Sequence, residues 1–284
     1  MQIIRADHAG FCFGVRRAVE LARSASRDFQ KVTTLGELIH NPEILEELNS
    51  RGVRAISAIS KIREGVVVVR AHGISQKKLA VLRKKKIKIV DASCPFVQKI
   101  HREVSLFAAQ KIPVVILGRR GHPEMRAVVE DFPAVEVVQK ISPKSLQKFA
   151  GQKIGVLAQT TENPENFAQL IAALEKLVPA KAGNHSKIIA RETICGATLE
   201  RQNSARLLAE KVDAVVVVGG RKSNNTKKLF ELVAKIHPAF WIENETEIRP
   251  GDFTKFKKVG VTAGASTPES TIRKVEEKLL KISN

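Results

Sequence analysis

The sequence predicts an α/β protein made of three small lobes around a central cleft, and three observations carry that prediction. Apolar, β-branched runs recur along the 284 residues, each followed by a polar or glycine-rich loop and then an amphipathic helix pattern. The runs are apolar throughout rather than alternating, as strands of parallel sheets covered on both faces are. The three cysteines, Cys12, Cys94 and Cys195, each stand in such a loop just ahead of a helix, 82 and 101 residues apart.

QIIRA is strand-like and runs into Cys12 and the helix pattern GVRRAVELARSA. GVVVVR (65–70) precedes AHGIS, and IKIVDA precedes Cys94 and PFVQKIHREVSLFAA. VVIL (114–117) precedes GRRGHPE, IGVLA (154–158) precedes QTTENPE, and ETI stands just before Cys195 and GATLERQNSARLLAE. AVVVV (214–218) precedes GGRKSNN, and VGVTA (259–263) precedes GASTPES. Strand–loop–helix alternation of this kind builds parallel sheets, and ligands bind beyond the carboxyl ends of such strands. The cysteine spacing divides the chain into lobes at 13–94, 95–193 and 194–284, with the N-terminal strand (1–12) joining the third.

Bulk composition narrows the function classes. Apolar residues make up 43% and charged residues 27%, an ordinary balance for a soluble globular protein. No run approaches the roughly 20 apolar residues that cross a bilayer. MQIIRADHAGFCFG lacks a signal-peptide core, so the expected setting is the cytoplasm, with no membrane partner. The net charge of +19 favours anionic partners, although Lys84, Lys85, Lys86 and Lys88 read as a solvated basic face. There is no Tyr and one Trp, and the twelve Phe mostly sit in apolar patterns, which argues against a stacking platform for single-stranded nucleic acid. The charge fits nucleic acid, acidic proteins and phosphorylated metabolites alike; the expected partner is a small anion, with no nucleic acid.

An odd cysteine count in a reducing compartment argues against a disulfide framework. Core thiols, a catalytic thiol and metal ligands remain. Gly10, Gly14, Pro95 and Gly196 put the cysteines in tight polar loops, and helix N-termini favour a thiolate. Zinc with a histidine as fourth ligand and a four-iron cluster with one open iron both fit three thiolates. Other loops hold His40 in HNPEIL, His72 in RAHGIS, His122 in GHPEM, Gln159-Thr160-Thr161, Ser223-Asn224-Asn225 and Ser266 in GAST. Such groups at helix starts suit an oligophosphate, and most are equally ordinary helix caps. Glu124 is one of four Pro-Glu helix starts, with Glu43, Glu165 and Glu269.

Taken in order, these motifs resemble the family of 4-hydroxy-3-methylbut-2-enyl diphosphate reductases along essentially the whole chain. The resemblance rests on GFCFGVRRA, LIHNP, AHGIS, DASCPFVQKIH, GHPE, QTT, TICGATLERQ, KSNN and VTAGASTPES. It implies three α/β lobes in pseudo-threefold arrangement around one [4Fe-4S] cluster per chain, held by Cys12, Cys94 and Cys195 with the apical iron open. It further implies that His40, His72, Ser223, Asn224, Asn225 and Ser266 hold the diphosphate. His122 and Thr160 would line the hydroxyl end, and Glu124 would deliver protons. The implied substrate is an allylic diphosphate, and the implied electron donor is reduced ferredoxin or flavodoxin. The chain has Ser223-Asn224-Asn225 where the family usually has Ser-Ser-Asn. Arg119 and Arg120, ahead of Gly121, have no assigned contact to the anion.

Overall fold

The computed structural model describes residues 1–177 and 188–282. The stretch 178–187, inside the second expected lobe, and residues 283–284 lie outside the described residues.

β1 (Gln2–Arg5) leads through the Cys12 turn into α1 (Phe13–Asp28). The chain then forms β2 (Val32–Leu35), α2 (Pro42–Ser50), β3 (Val53–Ile56), β4 (Val66–Val69), α3 (Gln76–Lys84) and β5 (Lys88–Asp91). α4 (Pro95–Ala109) carries it to β6 (Val114–Leu117), α5 (Pro123–Asp131), β7 (Glu136–Val138), α6 (Pro143–Leu146), β8 (Ile154–Ala158), α7 (Pro164–Leu177) and β9 (Ile188–Ala190). α8 (Gly196–Ala209) opens the last stretch: β10 (Ala214–Val218), α9 (Asn224–Val233), β11 (Ala239–Ile242), β12 (Lys258–Ala263) and α10 (Glu269–Ile282).

The strands form three four-stranded sheets, in the orders β3-β2-β4-β5, β7-β6-β8-β9 and β11-β10-β12-β1. Every pairing among them is parallel. The three orders are one order: second, first, third, fourth. The third sheet completes it by taking the chain's own first strand, with Ile3 opposite Val259. The expected three-lobed α/β architecture is therefore borne out.

The strand residues explain the layering. Val66–Val69, Val114–Leu117 and Ala214–Val218 are buried at every position, so both sheet faces need cover. Six apolar clusters supply it, two to a lobe, one on each face. Helices contribute with helical spacing: α10 buries Ile272, Val275 and Leu279. Polar contacts join the lobes. The Asp131 carboxylate accepts from Gln76 N and Lys77 N at 2.7 and 3.2 Å, and Lys228 pairs with Glu162 at 2.7 Å.

ETI does not continue a strand. β9 ends at Ala190, and Thr193 instead donates from its hydroxyl to Ala158 O at 2.6 Å and accepts from Ala158 N at 2.9 Å. A side chain takes the place of the ladder there, which bends the chain toward Cys195.

Candidate active site

In each sheet the strand order reverses direction between the first and third strands, the place where an open α/β sheet makes a crevice. The loops after those strands carry His40 and His72 in the first lobe, and His122 with Glu124 and Thr160 in the second. In the third they carry Ser223, Asn224 and Asn225, and Ser266. The loops after the fourth strands carry Cys94, Cys195 and Cys12. All twelve residues line one cavity of about 730 Å3, its mouth included.

The cysteines occupy three equivalent positions. Each is the N-cap residue of the helix that leads into the next lobe: α1, α4 and α8. Each backbone N–H donates to the loop after its lobe's third strand: Cys12 to Ala265 O at 3.2 Å, Cys94 to Ala71 O at 3.0 Å, Cys195 to Thr160 O at 3.0 Å. Orphan helix N–H groups and the helix dipole favour negative charge there. Cys12 Sγ accepts from Val15 N at 3.4 Å, and Cys195 Sγ lies 2.9 Å from Thr198 Oγ1. Gly14 sits where two lobes' sulfurs meet. A β-carbon on it would stand 2.8 Å from Cys94 Sγ and 4.0 Å from Cys12 Sγ.

Three thiols facing one cavity fit a metal centre. Burial raises the Cys195 thiol to about 11 and pushes Cys94 upward as well, so their thiolates need a bound positive charge. Among the described residues, the donor atoms of His40, His72 and His122 lie within 4.8 Å of one another. Three thiolates are soft donors of the kind that hold zinc or an iron–sulfur core.

The histidines form the opposite wall. Their ring centroids lie 4.5 Å (His40–His72), 5.2 Å (His72–His122) and 5.7 Å (His40–His122) apart. Burial holds all three below the usual histidine range, His122 at about 3. Their like charges and Arg70 press His72 and His122 further down. His40 Nδ1 faces Glu37 Oε2 at 3.2 Å, and Glu37 also holds Lys222 at 3.1 Å. His122 Nδ1 accepts from Glu124 N at 3.3 Å, which leaves the ring proton on Nε2. His40 Nε2, His72 Nδ1 and Asn225 Nδ2 are buried without a hydrogen-bond partner. Buried polar atoms are rarely left so; a multivalent oxygen ligand would satisfy them. Ser266 Oγ donates to His40 O at 3.1 Å, and Asn224 Nδ2 donates to Thr161 Oγ1 at 2.7 Å. Asn224 thus has a protein partner across the lobe boundary.

Glu124 is only 1% exposed. Burial raises its carboxyl to about 7, against the opposing effect of Thr160, whose N–H and hydroxyl donate to it at 2.9 and 2.8 Å. A carboxyl poised near neutrality exchanges protons readily. Arg119 does not line the cavity, yet its charge lowers His122 and His40. Arg120 lines a neighbouring cavity with Arg70 and Arg126.

Arg201, Glu37 and Thr198 escaped the sequence reading. Arg201 lines the main cavity and was present only as a letter inside TICGATLERQ; a buried arginine has no sequence signal of its own.

A model of the family described as LytB protein matches residues 3–280. A 4-hydroxy-3-methylbut-2-enyl diphosphate reductase of Syntrophotalea carbinolica is 36% identical over 285 residues, covering 100% of both chains. One of Aquifex aeolicus is 37% identical, covering 99% of this chain and 97% of its own. A solved structure of this reductase, described as the terminal enzyme of the non-mevalonate pathway, shares 35% identity with a TM-score of 0.70, covering 99% of this chain and 100% of its own. The Plasmodium falciparum reductase shares 25% identity with a TM-score of 0.87, covering 97% of this chain and 87% of its own.

Proposed function

The chain belongs to the LytB protein family, and on that premise we propose that it removes the allylic hydroxyl of 4-hydroxy-3-methylbut-2-enyl diphosphate. Two electrons and two protons enter, and isopentenyl and dimethylallyl diphosphates leave with water. It is a reductase of the non-mevalonate route to isoprenoids. The observation that carries this reading is the convergence of three helix-capping thiols and one buried carboxyl on a single cavity.

Cys12, Cys94 and Cys195 would hold one [4Fe-4S] cluster. When bound, the cluster would supply single electrons and Lewis-acid chemistry for the hydroxyl oxygen. The lobes we assign to 13–94, 95–193 and 194–284, with 1–12 in the third, each donate one sulfur. His40, His72, Ser223, Asn225 and Ser266 would bind the diphosphate, joined by Asn224 once its amide leaves Thr161. Binding energy spent on that remote end positions the reacting end. His122 and Thr160 line the hydroxyl end. Glu124 delivers the proton that lets oxygen depart as water, because a carboxyl near neutrality gives it up without a large free-energy step. Thr160 orients that carboxyl through two hydrogen bonds. The second proton goes to the allylic carbon skeleton, and the carbon receiving it sets the product.

The net charge of +19 suits an acidic one-electron carrier, ferredoxin or flavodoxin. Thiols that must stay reduced until the core assembles suit a reducing compartment such as the cytoplasm. Among the described residues no helix is long and apolar enough to cross a membrane.

The test is anaerobic reconstitution with iron and sulfide, followed by turnover of the hydroxylated diphosphate with a reduced dye. About four irons per chain and production of both isomers are expected. One zinc per chain without turnover would refute the assignment.

A further inference from the structure

Arg201 is only 5% exposed. Its Nε and Nη2 donate to Gly10 O at 3.2 and 2.6 Å, and its Nη1 donates to Ala197 O at 2.7 Å. One guanidinium thereby ties the turn entering Cys12 to the first turn of the helix capped by Cys195. Its hydrogen-bond partners are all neutral carbonyls, and among the described residues no carboxylate stands within ion-pair distance. A buried charge without a counter-charge is strongly destabilising. The carbonyls it holds stand two residues from Cys12 and two from Cys195, which line the same cavity. Two thiolates that carry permanent negative charge only when they hold metal are the missing partner.

We propose that Arg201 is the counter-charge of the iron–sulfur core, a positioning residue whose buried guanidinium makes the core easier to reduce. The inference rests on the cluster assignment above. Each thiolate brings a negative charge, and the one electron added on reduction brings another. A fixed cation beside two of the three ligands stabilises the reduced form more than the oxidised one, since net charge and nearby charge set such potentials.

Arg201→Gln keeps hydrogen-bond donors without the charge, and Arg201→Lys keeps the charge without the planar fork. Anaerobic iron-loaded protein of each is titrated with dithionite. The paramagnetic signal of the reduced core is followed alongside iron and sulfide content. Arg201→Gln is expected to lower the reduced-to-oxidised ratio at fixed potential on the order of tenfold, about 59 mV for one electron. Arg201→Lys is expected nearer the native value. A native potential in Arg201→Gln, or a Lys variant shifted as far as the Gln variant, overturns the proposal. So does a change confined to KM for the diphosphate, which would make the substrate the anion instead. If neither variant retains iron, urea midpoints of the core-free chains decide. The proposal requires Arg201→Gln to be at least as stable there as native, because an unpaired buried charge has been removed; a lower midpoint overturns it. A native chain that assembles no iron and sulfide sinks the functional reading and this inference together. A native chain that reduces the diphosphate while its variants keep their potential sinks the inference alone.

Discussion

Four glutamates follow proline at helix starts, and only one of them is buried. Glu43, Glu165 and Glu269 are exposed, whereas Glu124 is buried with its carboxyl raised to about 7. Glu124→Gln keeps the shape and removes the transferable proton. It is expected to lower kcat by roughly 10²–10⁴-fold, the range of general acid catalysis, with iron content unchanged. Near-native turnover would take the proton role away from Glu124. Thr160→Val removes a hydroxyl that stabilises the carboxylate. The carboxyl should then titrate higher still, and the alkaline limb of the kcat profile should move to higher pH. A limb that stays in place or moves down would detach Thr160 from this task.

At the scale of the element, one helix-start pattern is used three times for sulfur. Cys94 caps α4 without a side-chain hydrogen bond, so Cys94→Ser removes a proposed metal ligand at little expense to the helix. The loaded protein should lose its iron and its brown colour, while circular dichroism of the core-free chain stays near native. Gly14 sets two effects against each other. Alanine there improves helix propensity by roughly 0.5–1 kcal/mol, but its methyl would stand 2.8 Å from Cys94 Sγ. Gly14→Ala should therefore leave the core-free chain at least as stable and lower its iron occupancy. Full occupancy would show that the sulfur can yield.

The whole molecule is three separate cores held around a polar hub, and the hub dominates its pH response. His40, His72 and His122 all titrate lower in the fold than in the unfolded chain. The stability linked to them is complete above about pH 6.5 and lost as pH falls. Glu124 has the opposite sign: its raised pKa contributes stability at low pH that is lost as pH rises through about 7. Burial lowers His101 in the same way, so four groups oppose one, and the urea midpoint of the core-free chain should fall between about pH 6.5 and pH 4.5. A midpoint that rises over that window would mean that the histidines are not protonated on unfolding.

By itself the sequence determined the parallel α/β architecture, because valine-rich runs such as Val66–Val69 can be buried only between two helical layers. It also marked the cysteines and the polar loops, because their residue types break the local apolar period. What only the tertiary structure decided was convergence. The repeated strand order, closed in the third sheet by β1, brings residues as distant as Gly10 and Arg201 within 2.6 Å. The burial of Glu124 and the missing counter-charge of Arg201 belong to that closure. Desolvation depends on what surrounds a side chain in space, and neighbours in the chain carry no record of it.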